Sequence, residues 1–173
     1  MRQPRRFTYF LFGLFLAVAA CYSEQGMPLE PEGPSLASGP GKLGTLLLSC
    51  RPLPYSVSSA SIGSNGGTLK FGPHTLVVPK GALRQTVTIR AEVLPGTANS
   101  VRFSPKGLGF GNGGAALTLS YSNCSGPGML LPKQVAYTDE ELYVLYLLKS
   151  VDNLVQKKVT GQLQHFSRYA VAY

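Results

Sequence analysis

The stretch that decides the fold is Thr86-Val87-Thr88-Ile89-Arg90-Ala91-Glu92-Val93, in which apolar and polar residues alternate without interruption. Successive side chains of a β-strand point to opposite sides, so this pattern predicts a strand with one buried and one exposed face. The same alternation occurs in Leu117-Thr118-Leu119-Ser120-Tyr121. Both segments indicate antiparallel sheets that cover a core with one face and meet water with the other.

On both sides of these strands, short segments of strand composition are separated by glycine, proline and asparagine. Asn65-Gly66-Gly67 and then Gly72-Pro73 introduce the two arms of a predicted hairpin, residues 68–71 and 74–78. Further strands are predicted at residues 101–103, 134–138, 142–148, 156–163 and 168–173. Short strands at this spacing predict an all-β fold, an antiparallel β-sandwich that begins near residue 44 and extends to residue 173.

The segment 138–148 permits two interpretations. Thr138-Asp139-Glu140-Glu141 has the spacing of a capping box and would begin a helix. The following residues 142–148 are apolar on all sides and rich in β-forming types, which favours a buried strand after an acidic turn. We predict the strand.

Residues 1–20 are typical of a cleaved export signal. Arg2, Arg5 and Arg6 precede fourteen mostly apolar residues, 7–20, and small residues come before Cys21. A helix of fourteen residues is about 21 Å long and falls short of a hydrocarbon core of roughly 30 Å, which argues against a permanent transmembrane helix.

Val18-Ala19-Ala20-Cys21 resembles the lipobox of bacterial lipoproteins. The resemblance implies that the Cys21 thiol receives a diacylglycerol and that cleavage occurs just before it, so that membrane lipid is a partner through Cys21. Tyr22, and not aspartate, follows the anchor, which in that family implies the outer membrane if the host has two membranes. A plain secretory signal, cleaved without lipid, is the alternative. Either way the protein is predicted to work in the cell envelope or beyond it.

Residues 21–43 are predicted to be the lipidated anchor and a tether, because prolines and glycines recur throughout and no element can pack. The whole chain carries a net charge of +8, of which residues 44–173 carry +7. The export signal and the lack of a basic stripe interleaved with aromatic residues argue against nucleic acid as a partner.

With Cys21 acylated, Cys50 and Cys124 are the two thiols left in an oxidising compartment. We expect them to form a disulfide, since export favours pairing. No Cys-x-x-Cys motif is present, so the bond would be structural.

Three segments occur in the order found in a known domain: Ile62-Gly63-Ser64-Asn65-Gly66-Gly67-Thr68-Leu69, then Leu76-Val77-Val78-Pro79-Lys80-Gly81-Ala82-Leu83, and Val87-Thr88-Ile89. Together with His165-Phe166-Ser167-Arg168-Tyr169-Ala170 they resemble the ZU-five domain of zona-occludens scaffolds, netrin receptors, ankyrins and bacterial envelope proteins. The resemblance covers residues 60–173. It implies a β-sandwich that serves as an interaction or architectural module and not as an enzyme.

The closing tail raises a catalytic alternative. Some relatives with this sandwich cleave their own Phe–Ser bond within a His-Phe-Ser sequence. On a strand, His165 and Ser167 would face the same side, so that Ser167 could attack the Phe166 carbonyl while His165 takes the proton. In the non-catalytic interpretation, Phe166 packs inward while His165 and Ser167 lie at an exposed edge.

Other patterns carry weaker signals. Residues 107–114 are rich in glycine but match no nucleotide-binding motif, so we predict a turn. Two histidines, one of them His74, make a histidine-based metal site improbable, and Asp139, Glu140 and Glu141 fit a solvated turn. No cofactor or metal is predicted. Five tyrosines permit two interpretations, a binding face for a sugar or peptide or ordinary core packing and strand pairing: 137, 143, 146, 169 and 173. The sequence thus favours a non-catalytic envelope lipoprotein whose partner is an unknown envelope protein or polymer.

Overall fold

The computed structural model describes residues 46–111 and 113–173, and these form two antiparallel sheets packed face to face. The predicted signal peptide, Cys21 and the tether lie outside the described residues. The strands are β1 Ser56–Ile62, β2 Gly67–Phe71, β3 His74–Val78, β4 Val87–Leu94, β5 Ser100–Ser104, β6 Ala115–Ser120, β7 Gln134–Thr138, β8 Val144–Leu147, β9 Ser150–Asn153, β10 Lys158–Leu163 and β11 Arg168–Ala172. A short 3-10 helix, Pro127–Leu130, precedes β7.

The predicted all-β sandwich is confirmed. One sheet has the order β1-β4-β5-β11-β7-β8, and the other has the order β2-β3-β6-β10-β9. Along β4, Ile89, Ala91 and Val93 are buried while Thr88 and Arg90 are exposed, as the alternation predicts. Within the described residues, no helix is long and apolar enough to cross a membrane.

Aromatic rings from both sheets fill the centre of the core. Phe103 of β5 stacks on Phe166 with ring centroids 4.9 Å apart, and its edge meets Phe71 of β2 at 5.5 Å. Phe110 also contacts Phe166, edge-on, with ring centroids 4.9 Å apart. Aromatic contacts of this kind contribute beyond the area they bury, so this cluster joins the two sheets.

The turn that carries the family resemblance folds as its residues dictate. Pro79 ends β3, and Gly81 has a φ of 81°, a backbone conformation that glycine adopts without strain. The Gly81 N–H donates to the Ser64 carbonyl at 2.8 Å, and Leu83 returns to the core. Gly66, with φ 74°, faces the same turn, and a Cβ there would lie 2.5 Å from the Val78 oxygen. The two loops therefore need glycine where they touch.

The segment 138–148 forms a turn and a strand, as predicted, but the strand is only partly buried: Val144 is buried, whereas Leu145 and Tyr146 are exposed. The Asp139 carboxylate accepts the N–H groups of Glu141 and Tyr143, and Leu142 has a φ of 67°, which closes a turn instead of a helix. β8 is the last strand of its sheet, and Leu145 is 53% exposed. The apolar residues of β8 therefore belong to an exposed edge strand and not to a buried central one.

Cys50 and Cys124 form the predicted disulfide. The bond ties the entering segment to the loop after β6, and backbone hydrogen bonds reinforce the same contact. The Arg51 N–H donates to the Asn123 carbonyl, and the Ser125 N–H donates to the Ser49 carbonyl, both at 3.0 Å.

Candidate functional site

A cavity at the β7–β8 edge of the sandwich is lined largely by aromatic side chains. Its volume is about 290 Å³, and Tyr137, Tyr146 and Tyr169 line it together with Leu148, Gln164 and His165. Three of the five tyrosines named as a possible binding face thus meet at one place. The remaining two lie elsewhere: Tyr143 belongs to the turn at Asp139, and the Tyr173 ring packs over Gly128.

Strand register puts the three tyrosines side by side. Tyr137 of β7 is the cross-strand partner of Tyr169 in β11 and of Tyr146 in β8. Directly opposite residues of antiparallel strands hold their side chains close together on one face. The Tyr137 and Tyr169 ring centroids are 5.8 Å apart, and a tyrosine row results across three strands.

His165 closes the cavity and is held from two directions. Its ring meets the Tyr137 ring edge-on with centroids 5.2 Å apart. Its carbonyl oxygen accepts the Tyr169 hydroxyl at 2.6 Å. Burial, together with the neighbouring Tyr137, raises the pKa of Tyr169 well above its usual range, so this hydroxyl remains a hydrogen-bond donor.

The cavity combines rigid apolar walls with polar atoms. Tyr146 is 65% exposed, whereas Tyr169, on the far side of Tyr137, is almost completely buried. Gln164 and His165 are lining residues whose side chains can form hydrogen bonds. Aromatic faces with a few directional polar groups are typical of small-ligand sites, and the volume suits one ring-sized group.

The tail that could cleave itself is divided between two environments. Phe166 is fully buried, as the non-catalytic interpretation predicts. Ser167 is buried too, so its expected place at an exposed edge is wrong, because the Phe103 N–H pairs with the Ser167 carbonyl before β11 begins. Ser167 lines a second cavity of about 420 Å³, and His165 lines the tyrosine cavity. Within the described chain, no hydrogen bond joins these two side chains.

The second cavity adjoins a group of charged side chains on the outer face of the six-stranded sheet. The Arg102 guanidinium lies 2.6 Å from the Glu140 carboxylate and 3.7 Å from Glu92. Arg168, opposite Arg102 in the register, donates to the Glu140 carbonyl and to the Ser100 hydroxyl. Burial, together with Arg102, lowers the pKa of Arg168. The acids here are matched to neighbouring cations, which describes a structural network more than an open site.

The structure also locates His74 and the glycine-rich stretch, and it bears on metal binding. His74 is buried in β3, and its Nδ1 accepts the Ser120 N–H at 3.0 Å. The glycine-rich stretch connects β5 to β6, and Gly114 with φ 77° passes close to the Leu163 carbonyl. In the described part of the chain, no group of three or more metal-ligating side chains comes together.

A larger groove of about 560 Å³ lies between residues 81–87 and 108–111. Ala82, Leu83 and Phe110 form much of its lining, with Arg84 and Gln85 as its polar side chains. Glycines and backbone make up a large share of the rest. The tyrosine cavity is smaller, but its side chains converge from four segments and offer both ring faces and hydrogen-bonding atoms, so we take it as the candidate site.

No protein-family model matches this chain, and no curated protein matches it.

Proposed function

We propose that this chain is a lipid-anchored protein of the cell envelope whose β-sandwich is a non-catalytic binding module. The tyrosine cavity is the binding site, and a sugar residue of an envelope polymer is its ligand. The convergence of Tyr137, Tyr146, Tyr169 and His165 on one cavity carries the proposal. A pyranose ring has apolar C–H faces that pack on aromatic rings and hydroxyls that bond to amide and imidazole groups.

The anchor part rests on the lipobox-like Val18-Ala19-Ala20-Cys21 and the basic, apolar segment before it. The resemblance to ZU-five domains supports a module that binds or organises other molecules. The disulfide fits the same proposal, because such bonds persist in exported proteins.

Self-cleavage between Phe166 and Ser167 is the second candidate, and one observation favours it. The Gly107 N–H donates to the Phe166 carbonyl oxygen at 2.9 Å, where a donor would stabilise the oxyanion formed by Ser167 attack. Against it stands the separation of His165 from Ser167. Denaturing gels decide: a single intact band, identical in Ser167→Ala, ends this alternative, and two fragments that disappear in Ser167→Ala establish it.

Binding is tested with the purified full-length lipoprotein in detergent and soluble glycan fragments of envelope polysaccharides, peptidoglycan included. We expect Tyr146→Ala to raise Kd by about tenfold or more, which corresponds to ~1.4 kcal/mol of lost ring contact. Tyr55→Ala is the matched control, since Tyr55 is similarly exposed but lies outside the cavity. Equal affinities of both variants, or no binding to any fragment, would overturn the sugar site.

The anchor is tested separately. Intact mass should report acyl chains on Cys21, and Cys21→Ser should not be acylated or cleaved before residue 21. If the mature chain lacks acyl mass, the anchor is wrong, whatever the glycan result.

A further inference from the structure

The chain enters the sandwich at one end, which we call the tether end. The Leu46 carbonyl accepts the Tyr173 N–H at 3.0 Å, and Leu47 pairs with Ala172 at the end of β11. Residues 22–45, twenty-four in number, separate this point from Cys21. Whatever is anchored at Cys21 therefore connects to the sandwich at the tether end.

Two loops at the tether end expose large apolar side chains. The 3-10 helix and the residue after it present Leu130, 91% exposed, and Leu131. The β9–β10 turn presents Leu154 and Val155, the latter 95% exposed. Soluble surfaces seldom collect large apolar side chains without an interaction to cover them.

Side-chain and backbone contacts hold both loops at this same end. The Tyr121 N–H donates to the Lys157 carbonyl, which fixes the β9–β10 turn against the residue that follows β6. Asp152 of β9 accepts the Tyr121 hydroxyl at 2.6 Å and the Lys133 N–H at 2.8 Å. Asp152 thus links the turn to the segment that carries Leu130 and Leu131.

A buried ammonium group fixes the leucine-bearing helix. Lys133 is almost completely inaccessible, and its Nζ donates to the carbonyls of Met129 and Leu131. The same Nζ lies 5.4 Å from the centroid of the Tyr121 ring. Burial of a lysine is costly unless its donors find partners, and here two of them bond to carbonyls of the segment that projects Leu130 outward. The leucines are therefore displayed on a fixed support.

The charge at this end is positive. Arg51, Lys157 and Lys158 are exposed there, and Asp152, near the end of β9, already accepts two hydrogen bonds. The acids Asp139, Glu140 and Glu141 follow β7, which starts at the tether end with Gln134 opposite Ala172 and runs away from it. Exposed apolar side chains and cations at the same end match the boundary between lipid headgroups and acyl chains.

We propose that the tether end is a membrane-docking surface, in which Leu130, Leu131, Leu154 and Val155 enter an anionic lipid surface and Arg51, Lys157 and Lys158 contact its headgroups. The inference rests on the anchor of the proposed function. The sequence predicts a tether over residues 22–43. A coil of that length would have a typical end-to-end distance of about 25 Å, which would keep the sandwich close enough to the lipid for weak insertion to persist. The candidate sugar cavity then lies at the β7–β8 edge and not under the docked end.

The test uses the full-length lipoprotein in vesicles of phosphatidylethanolamine and phosphatidylglycerol. Single cysteines replace Leu130, Val155 or, as the control, Asn65, an exposed residue just beyond the opposite end of β1. Each carries an environment-sensitive fluorophore, while Cys50 and Cys124 remain oxidised. We expect nitroxide-labelled lipid to quench the labels at 130 and 155 at least threefold more than the label at 65. We also expect Lys133→Gln to reduce quenching at 130.

Equal quenching at all three positions would overturn the docking surface. So would labels at 130 and 155 that become shielded only when another envelope protein is added, since this outcome assigns the surface to a protein partner. Whether the anchor exists is measured independently, because the intact mass of the protein reports whether Cys21 carries acyl chains. If Cys21 is not acylated, the docking proposal still predicts the same quenching pattern when vesicles are added at millimolar lipid. Absence of that pattern rejects docking.

Discussion

Acidification should destabilise this sandwich through His74. Its imidazole is buried in β3 against Phe71, with ring centroids 5.7 Å apart, and burial lowers its pKa from 6.5 to about 4. Nδ1 accepts the Ser120 N–H, and Nε2 is buried without a hydrogen-bond partner among the described residues. The folded state therefore keeps this ring neutral where the unfolded state would protonate it.

The direction and size of the effect follow from linkage. Between pH 6.5 and about 4 the unfolded chain binds a proton at His74 that the folded chain does not, so the free energy of unfolding falls as pH falls. Each unit of pKa difference is worth ~1.4 kcal/mol, so the loss from this one group approaches about 3 kcal/mol at pH 4. Above pH 6.5 the group contributes no pH dependence.

The assay is urea unfolding at several pH values between 7 and 4, with the disulfide intact, for the natural protein and for His74→Asn. Asparagine retains an acceptor for the Ser120 N–H and cannot titrate. Between pH 7 and pH 4 the natural protein should therefore lose about 3 kcal/mol more of its unfolding free energy than His74→Asn loses. His165→Asn is the control, because it retains His74. Parallel pH profiles for the natural protein and His74→Asn would refute the reasoning.

Three further predictions concern the fold. Replacing Cys50 and Cys124 by serine should lower the free energy of unfolding by up to ~4.5 kcal/mol, the chain-entropy value for a loop of this length, and an unchanged urea midpoint would contradict it. Gly66→Ala should cost about 2 kcal/mol or more because of its positive φ and the nearby Val78 oxygen, whereas Gly96→Ala meets open space and should change the thermal midpoint little; similar losses would be evidence against the turn geometry. Phe166→Ala should cost about 3–5 kcal/mol by removing the ring that stacks on Phe103 and meets Phe110 edge-on, as measured by chemical unfolding, and a loss below ~1 kcal/mol would contradict its central place in the core.

Strands with one clearly buried face could be predicted from sequence, and the exceptions have physical reasons. β1, Ser-Val-Ser-Ser-Ala-Ser-Ile, was not predicted, because its serines resemble a loop and only pairing with β4 makes it a strand. β9 was missed for the same reason, being short and polar at an edge. Conversely, the composition of residues 142–148 predicts a buried strand, but Leu145 and Tyr146 are exposed because β8 lies at the edge of its sheet. Local composition does not encode the position of a strand in the sheet.

The residues of the candidate site could be predicted from the sequence, but their arrangement in space could not. Tyrosines were named as a possible binding face, but their convergence depends on the register of three strands, with Tyr137 between Tyr146 and Tyr169. His165 was singled out for a different role, and its contact with Tyr137 follows from the path between β10 and β11. The tether end could not be predicted either, since Leu130 and Val155 come to lie at the same end of the sandwich only when the sheets form.

Intermolecular nuclear Overhauser effects between a bound glycan fragment and the tyrosine rings test the central claim most directly. We predict contacts from sugar C–H protons to the rings of Tyr137 and Tyr146, because these line the cavity and Tyr146 is exposed. Contacts to residues elsewhere on the sandwich, or none at saturating concentrations of the fragments, would contradict it.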